Sequence, residues 1–206
     1  IAKMENIDVD TIEMAGFIDR GTYSAIGTHG FKKGGFIIEG GKSEEKEISP
    51  LTFQESIPED WRFLIFCAKD WKGYDEEEEQ PIMDELKVDP VYARKISHHI
   101  VMGIMPSLKT QDIEDFGYHI SRIQRLVGES FSNSQGGVFH PSAERVVEIL
   151  EEHCYGSGQS SWGPTVYGVT TRDEVDDVKE EVLKEIDREK YHIWTAEPEN
   201  DGAEFL

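Results

Sequence analysis

One run limits what this chain can fold into more than any other. Trp61 to Cys67, WRFLIFC, is apolar at six of its seven positions. Successive side chains of a strand point to opposite faces, so an unbroken apolar run predicts a strand covered on both sides. The cover has to come from helices, and the downstream sequence supplies them. Tyr92 to Leu108 reads as one helix. Asp112 to Ser130 reads as a second, with Ile113, Phe116, Ile120, Ile123 and Val127 spaced as one buried stripe. A third begins near Pro141, a residue suited to a first helical turn, and its apolar face is Ala143, Val146, Val147, Leu150 and Cys154. Strands are predicted at Thr165–Val169 and Tyr191–Ala196. Between them lies a helix with Thr171 and Glu174 as a capping box and Val175, Val178, Val182 and Ile186 as its stripe. Strand, helices, strand, helix, strand is the order of an α+β fold, with helices gathered on one face of a small antiparallel sheet.

Upstream of Trp61 the pattern is looser. Asp8 to Phe17 predicts a short helix capped by Asp8 or Asp10, Ser24 to Phe31 a helical turn, and Gly35 to Glu39 a strand. Lys42 to Glu47 is a charged connector and the candidate domain boundary. Asp75 to Gln80, DEEEEQ, reads as a solvated loop, because like charges repel and disorder a segment. The acidic tail is expected to be loose. The first residue is Ile1, and the opening reads like the middle of a helix, so further residues are expected upstream.

Charge narrows the partners. The chain carries 42 Asp and Glu against 21 Lys and Arg, a net of −21. Such a field repels nucleic acid and anionic membrane, and it argues against both. An anionic substrate would need a local cluster of donors or a metal ion. The two cysteines, Cys67 and Cys154, do not make a disulfide framework and fit a reducing cytoplasm. No stretch is apolar over the ~18 residues that would suggest a membrane span, and no signal peptide is visible.

Two glycine- and hydroxyl-rich segments are the places where chemistry could sit: Arg20–His29 and Gly156–Pro164. Glycine lets backbone approach a ligand closely, and successive amides in such turns make concave anion sites. Neither segment is a Walker loop, and a tight structural turn explains each equally well. His29 lies within the first segment, where an imidazole could bind phosphate or carboxylate, move a proton, or simply cap the turn. Arg20 is one of only eight arginines, and its guanidinium fork suits the same anions, with a surface ion pair as the alternative. His98, His99 and His119 sit within predicted helices and read as packing or surface residues. There is no HExxH and no Cys/His pair at zinc spacing.

At these residues the chain resembles the GHMP small-molecule kinases. GSGQSSWGPTVYGV, followed by a helix and a final strand, is similar to the family's third motif, a turn that meets substrate or nucleotide phosphates. RGTYSAIGTHGFKKGGFIIEGG resembles the region where the family's kinases commonly carry a catalytic Asp. The matching position here is Gly27, which has no side chain to take a proton from a hydroxyl. That departure narrows the resemblance to one branch, the β-ribofuranosylaminobenzene 5′-phosphate synthases. The stretches that carry it are Arg20 to Gly27, Gly34 to Gly41 and, most specifically, Gln159 to Thr165, QSSWGPT. Asp19, where many members have Gly, and the inserted Tyr23 are departures.

The resemblance implies the end of an S5-like N-terminal GHMP domain over 1–48, then a ferredoxin-like C-terminal domain over 49–206. It implies a transferase that joins the ribose 5-phosphate unit of phosphoribosyl diphosphate to 4-aminobenzoate or 4-hydroxybenzoate. Carbon dioxide and diphosphate are lost, on the way to methanopterin in an archaeal cytoplasm. Mg²⁺ is the expected cofactor, the substrates are the expected partners, and a homodimer is the self-association considered. On this reading Arg20 and His29 are the catalytic candidates. The substrate-binding candidates are Gly21, Thr22, Ser24 and Gly27 in the first segment, and Gly158, Gln159, Ser160, Ser161, Trp162 and Gly163 in the second. Trp162 could wall the aromatic ring or anchor the turn. The two segments are expected to converge, with Ser24 and Ser161 on one cavity. A GHMP-type kinase acting on a small alcohol and a non-catalytic ferredoxin-like binding module are the alternatives.

Overall fold

The computed structural model describes residues 10–18, 20–21, 24–41, 48–70, 82 and 88–204. Asp8, Asp19, Thr22, Tyr23, the connector 42–47 and the acidic run 75–80 lie outside the described residues. The chain divides into two compact units, Ile1–Ile57 with Pro198–Leu206, and Pro58–Glu197.

The first unit holds α1 (Thr11–Phe17), α2 (Ile26–Lys33) and an antiparallel pair, β1 (Phe36–Glu39) and β2 (Leu51–Glu55). Asp10 caps α1, its carboxylate accepting from the Ile12 amide at 2.8 Å. The sequence pattern does not predict strand β2. The tail is not loose as far as Ala203. The Asn200 side chain bonds both backbone groups of Ile57, at 2.9 and 3.0 Å, and the Ala203 amide donates to Phe31 at 2.8 Å. Gly34, at φ +66°, is obligatory beneath it, since a Cβ there would lie 2.5 Å from the Asn200 carbonyl carbon.

The second unit holds β3 (Trp61–Ala68), α3 (Pro90–His99), a π-helical stretch (Ile100–Ile104), α4 (Met105–Thr110), α5 (Ile113–Gln135), α6 (Glu144–His153), β4 (Gly156–Gln159), β5 (Thr165–Thr171), α7 (Val175–Glu185) and β6 (Tyr191–Ala196). The strands form one antiparallel sheet in the order β4-β5-β3-β6. Numbered within the unit that order is 4-1-3-2 read from β6, the ferredoxin-like βαββαβ frame. The frame's two helices, α6 and α7, share one face. Leu64, Phe66 and Val166 pack there against Val146, Val147, Leu150 and Val182.

The apolar run is therefore the central strand, but its two faces differ. Leu64 and Phe66 are fully buried, whereas Phe63, Ile65 and Cys67 are half-buried. Arg62 is tolerated in the run because its guanidinium donates to the carbonyls of Glu59 (2.8 Å) and Trp61 (2.7 Å) and to the Glu197 carboxylate (3.0 Å). The predicted helix from Tyr92 is interrupted by the π-helical stretch just before Pro106, which has no amide to give back to the preceding turn. Thr171 bonds the Glu174 side chain at 2.6 Å rather than a helix amide, so the expected capping box is not formed.

The long helix α5 departs most from expectation. Val127 is 36% exposed, whereas Phe116 of the expected stripe is buried at 2%, and beside it a second stripe, Gly117, Ser121, Gln124 and Gly128, makes the close approach to β4 and Val138. Gly168 on β5 faces α6, with a hypothetical Cβ 2.5 Å from the Cys154 sulfur, while Gly156 and Gly158 on β4 face α5. Thus α5 covers the face at β4 that α6 and α7 leave open. The approach is backbone to backbone: a Cβ at Gly117 would lie 2.1 Å from the Tyr155 carbonyl oxygen, and one at Gly156 would lie 2.5 Å from the Gly117 Cα. β4 is an edge strand, and α5 also satisfies that edge. The Ser157 amide donates to Ser121 Oγ at 2.9 Å and the Gln159 amide to Gln124 Oε1 at 3.1 Å.

Gly117→Ala should destabilise the second unit by about 3 kcal/mol, since the obstacle is backbone that has no rotamer to change. Gly30→Ala meets nothing within 4 Å and should be neutral or slightly stabilising in the same urea unfolding series. Burial pushes the Cys154 thiol up to about 12, so native Cys154 should resist alkylation at pH 8. The unfolded chain ionises that thiol first, so stability should be full below pH 9 and fall as pH rises above it. Cys154→Ala should flatten that alkaline slope in pH-resolved melts.

Candidate functional site

Arg20–His29 lies in the first unit and Gly156–Pro164 in the second, so the expected shared cavity for Ser24 and Ser161 concerns two separate units. The second segment is not a loop throughout. Gly156–Gln159 is strand β4, buried at all four positions, because the bare glycine faces admit α5 and its side chains complete the edge. Gly158 is therefore spent on packing, its Cβ position lying 2.3 Å from Gln124 Cγ.

The turn proper is Ser160–Pro164. The Ser160 amide donates to Thr165 and the Gly163 amide to Ser160, each at 2.9 Å. Ser161 at φ +50° and Gly163 at φ +76° are both in the left-handed region, and the Gly163–Pro164 bond is cis. Ser161 holds its uncommon conformation because the buried Gln159 side chain donates to the Ser161 carbonyl at 2.8 Å. The other end of that amide accepts from the His140 backbone at 2.7 Å. Trp162 is only 7% exposed and meets Phe131 edge to face at 5.1 Å, so it anchors the turn. Ser160 and Ser161 are exposed, which leaves two hydroxyls on the outer surface of a pinned turn. His140, nearby, has a basicity lowered by burial, and its Nδ1 accepts from the Ser142 amide at 3.2 Å.

In the first unit, Arg20 is exposed and its amide donates to Ala15 at 2.8 Å. Gly21 takes φ +86°. Ser24 is exposed and its hydroxyl accepts from Ile26 at 3.4 Å, at the start of α2. The Ala25 amide donates to the Glu39 carboxylate at 2.5 Å, which ties the helix start to β1. Gly27 sits in the first turn of α2, exposed, with nothing within 4 Å of a Cβ. Its amide and that of Thr28 have no acceptor within the helix, as in any first turn. His29 lies within α2, not in a loop, and is 6% exposed. Its Nε2 meets the Ser49 carbonyl at 2.9 Å, so that nitrogen is the donor and serves as a strut between α2 and the segment before β2. Thr22 lies outside the described residues.

Two other clusters compete for attention. A cavity of about 340 Å³ lies between α6 and α7, lined by Glu152, His153, Cys154, Tyr155, Glu174, Asp177 and Val178. Three carboxylates on its wall repel an anionic ligand. Beside it, Glu152, His153 and Glu185 bring ligand atoms within 4.8 Å, the one such group among the described residues. Glu185 is already engaged by His153 at 3.1 Å and Arg145 at 3.0 Å. On α3 and α5, His99 and His119 face each other with Nδ1 atoms 2.8 Å apart, an arrangement that holds a single proton between two rings. Burial first, then His119, Arg122 and His98, keeps His99 less basic than usual. Gly103 in the π-helical stretch makes room for the His119 ring, which a Cβ would approach to 2.2 Å. The packing role expected for these histidines accounts for that geometry.

Residues 104–187 match the family described as GHMP kinases C terminal. β-Ribofuranosylphenol 5′-phosphate synthase of Methanothermobacter thermautotrophicus is 28% identical over 184 residues, which cover 82% of this chain and 55% of that protein. The protein of the same name from Methanocaldococcus jannaschii is 27% identical, over 81% of this chain and 54% of its own length. The chain thus spans about half the length of the curated relatives it matches. Among solved structures, a homoserine kinase from Cytophaga hutchinsonii superposes with TM-score 0.64 at 14% identity, over 98% of this chain and 62% of that one. Mevalonate diphosphate decarboxylase from Staphylococcus aureus superposes with TM-score 0.67 at 13% identity, over 96% and 60%. The structural likenesses speak for the fold alone, and no helix among the described residues is long and apolar enough to cross a membrane. Residues 104–187 match the GHMP kinase C-terminal family, and the chain that carries them is similar over most of its length to archaeal β-ribofuranosylphenol 5′-phosphate synthases.

Proposed function

We propose that the protein serves a β-ribofuranosylbenzene-type 5′-phosphate synthase reaction. The ring carbon that bears the carboxylate of 4-hydroxybenzoate or 4-aminobenzoate attacks the anomeric carbon of phosphoribosyl diphosphate. A C–C bond forms there and the C–O bond to diphosphate breaks. Carbon dioxide then leaves, and its bonding pair restores the aromatic ring, so no hydroxyl needs deprotonating. The observation that carries this reading is the 27–28% identity to archaeal synthases over about four fifths of the chain, joined to glycine at position 27. The names of those relatives favour the phenol, hence 4-hydroxybenzoate. A kinase reading would need a free carboxylate at or near Gly27, and the Glu39 carboxylate nearby is taken up by the Ala25 amide.

The pinned turn Ser160–Gly163 is the phosphate-facing element of the second unit. Its conformation is set before ligand arrives, which is how fixed dipoles stabilise a departing anion without reorganisation. In the first unit Arg20 supplies an exposed cation, and the bare Gly27 lets a ligand reach the first-turn amides of α2. Gly21 and Ser24 flank that approach. His29 acts through the fold as a positioning residue, and Trp162 supports its turn from behind. The Glu152–His153–Glu185 group does not fit Mg²⁺, which prefers an oxygen cage, whereas this group offers an imidazole and a carboxylate already paired. Mg²⁺ is instead expected to travel with the substrate's diphosphate. The reaction belongs in an archaeal cytoplasm and feeds methanopterin synthesis. Its partners are small molecules.

Incubating the complete protein with Mg²⁺, phosphoribosyl diphosphate and carboxyl-labelled 4-hydroxybenzoate or 4-aminobenzoate should release labelled carbon dioxide. ATP consumption with a small alcohol, and no label released, would transfer the assignment to the kinases. Gly27→Ala should leave the melting temperature unchanged or slightly raised. It should cost about tenfold in kcat/KM, about 1.4 kcal/mol, because the methyl group fills space reserved for ligand. An unchanged kcat/KM would remove Gly27 from the site.

A further inference from the structure

We infer that Gln135, at the C-terminus of α5, is a positioning residue for the Ser160–Gly163 turn, acting through Gln159; the inference rests on the reading of that turn as the phosphate-facing element. The two glutamines are buried, at 8% and 5% exposure, in a unit whose other buried side chains are mostly apolar. A buried primary amide is costly unless both ends are engaged, and here every end is. Gln135 Nε2 lies 2.7 Å from the Val138 carbonyl, 3.1 Å from that of Gly137 and 3.4 Å from that of Gly128. Its oxygen accepts from Gln159 Nε2 at 3.4 Å. The same Nε2 donates to the Ser161 carbonyl, and Gln159 Oε1 accepts from the His140 amide.

These contacts fix the direction of both amides. A flipped Gln135 would aim its oxygen at three carbonyls, and a flipped Gln159 would aim its NH₂ at the His140 N–H and its oxygen at the Ser161 carbonyl. The relay therefore runs one way, from the C-terminus of α5 and the 137–140 connection to the residue in the turn with the least favourable φ. Gly128 is part of the device. A Cβ there would lie 1.9 Å from the Val138 carbonyl oxygen, so its absence lets the connection fold back under Gln135. Nothing in the spacing of the sequence marks Gln135, which sits five residues beyond the predicted end of its helix.

The test is Gln135→Leu, similar in volume but without donors, compared with the wild-type chain in binding, kinetics and amide exchange. Binding of phosphoribosyl diphosphate should weaken about tenfold, within the range expected from orphaning buried partners. KM should rise more than kcat falls. In ligand-free protein, exchange of the Gly163 amide should accelerate about tenfold while amides of β3 keep their protection. Gln135→Leu with Gln159→Leu should be no worse than the more damaging single change, since both interrupt one relay. Equal binding and equal Gly163 exchange in the variant would overturn the inference. If the wild-type chain binds no phosphoribosyl diphosphate, the functional reading fails, and the exchange assay alone decides whether Gln135 holds the turn. Should the variant not fold, the wild-type side-chain NH₂ signals decide. Slow exchange at both Gln135 and Gln159 upholds the relay, and exchange as fast as in an exposed glutamine sinks it.

Discussion

Two backbones in contact, with no side chain between them, underlie the second unit. Gly117 on α5 and Gly156 on β4 meet at a distance that any Cβ would forbid. From that contact α5 runs along the sheet edge, where Ser121 and Gln124 take up the amides that β4 would otherwise expose. An edge strand of sequence GSGQ has little tendency to be a strand by itself. It becomes one because a helix supplies its second set of hydrogen-bond partners.

On the proposed function, the same arrangement would have to receive an anion on an acidic protein. The −21 charge opposes any phosphate at long range, and the cavity between α6 and α7 adds to that opposition with Glu152, Glu174 and Asp177. What offsets the field must be short-range and oriented. The Ser160–Pro164 turn fits that requirement: its carbonyl at Ser161 is tied inward, its indole is packed against Phe131, and its serine hydroxyls face outward into solvent. The start of α2 in the first unit repeats the principle on a smaller scale, with Glu39 fixing the Ala25 amide and open space above Gly27.

Features written as periodicity were legible from the sequence. WRFLIFC announced the central strand, Val146, Val147 and Leu150 announced the buried face of α6, and Asp10 announced a helix start. Features created by tertiary contact were not. The four residues of β4 read as part of a glycine-rich turn because glycine usually marks one, and only the proximity of α5 reverses the meaning. The expected stripe of α5 holds at Phe116 and Ile120, which meet Trp61 and Gly156, but the close approach to β4 and Val138 is made by Gly117, Ser121, Gln124 and Gly128, which carry no apolar signal. Thr171 and Glu174 had the spacing of a capping box but bonded side chain to side chain. At the candidate site, QSSWGPT was recognisable as a motif, yet its glutamine and tryptophan prove to be supports rather than exposed ligand contacts. His29 was singled out for its glycine-rich neighbours, and burial against Ser49 explains it better.

Close helix–strand packing holds the Ser160–Pro164 turn in the shape that the proposed function requires for an anion. The direct measurement is an amide chemical-shift titration of the isotope-labelled protein with phosphoribosyl diphosphate and Mg²⁺. The largest shifts should fall on Ser160, Ser161 and Gly163, with Glu152–Tyr155 and Glu174–Val178 unmoved. Shifts centred on the acidic cavity, or a turn whose signals stay fixed at saturating ligand, would contradict it.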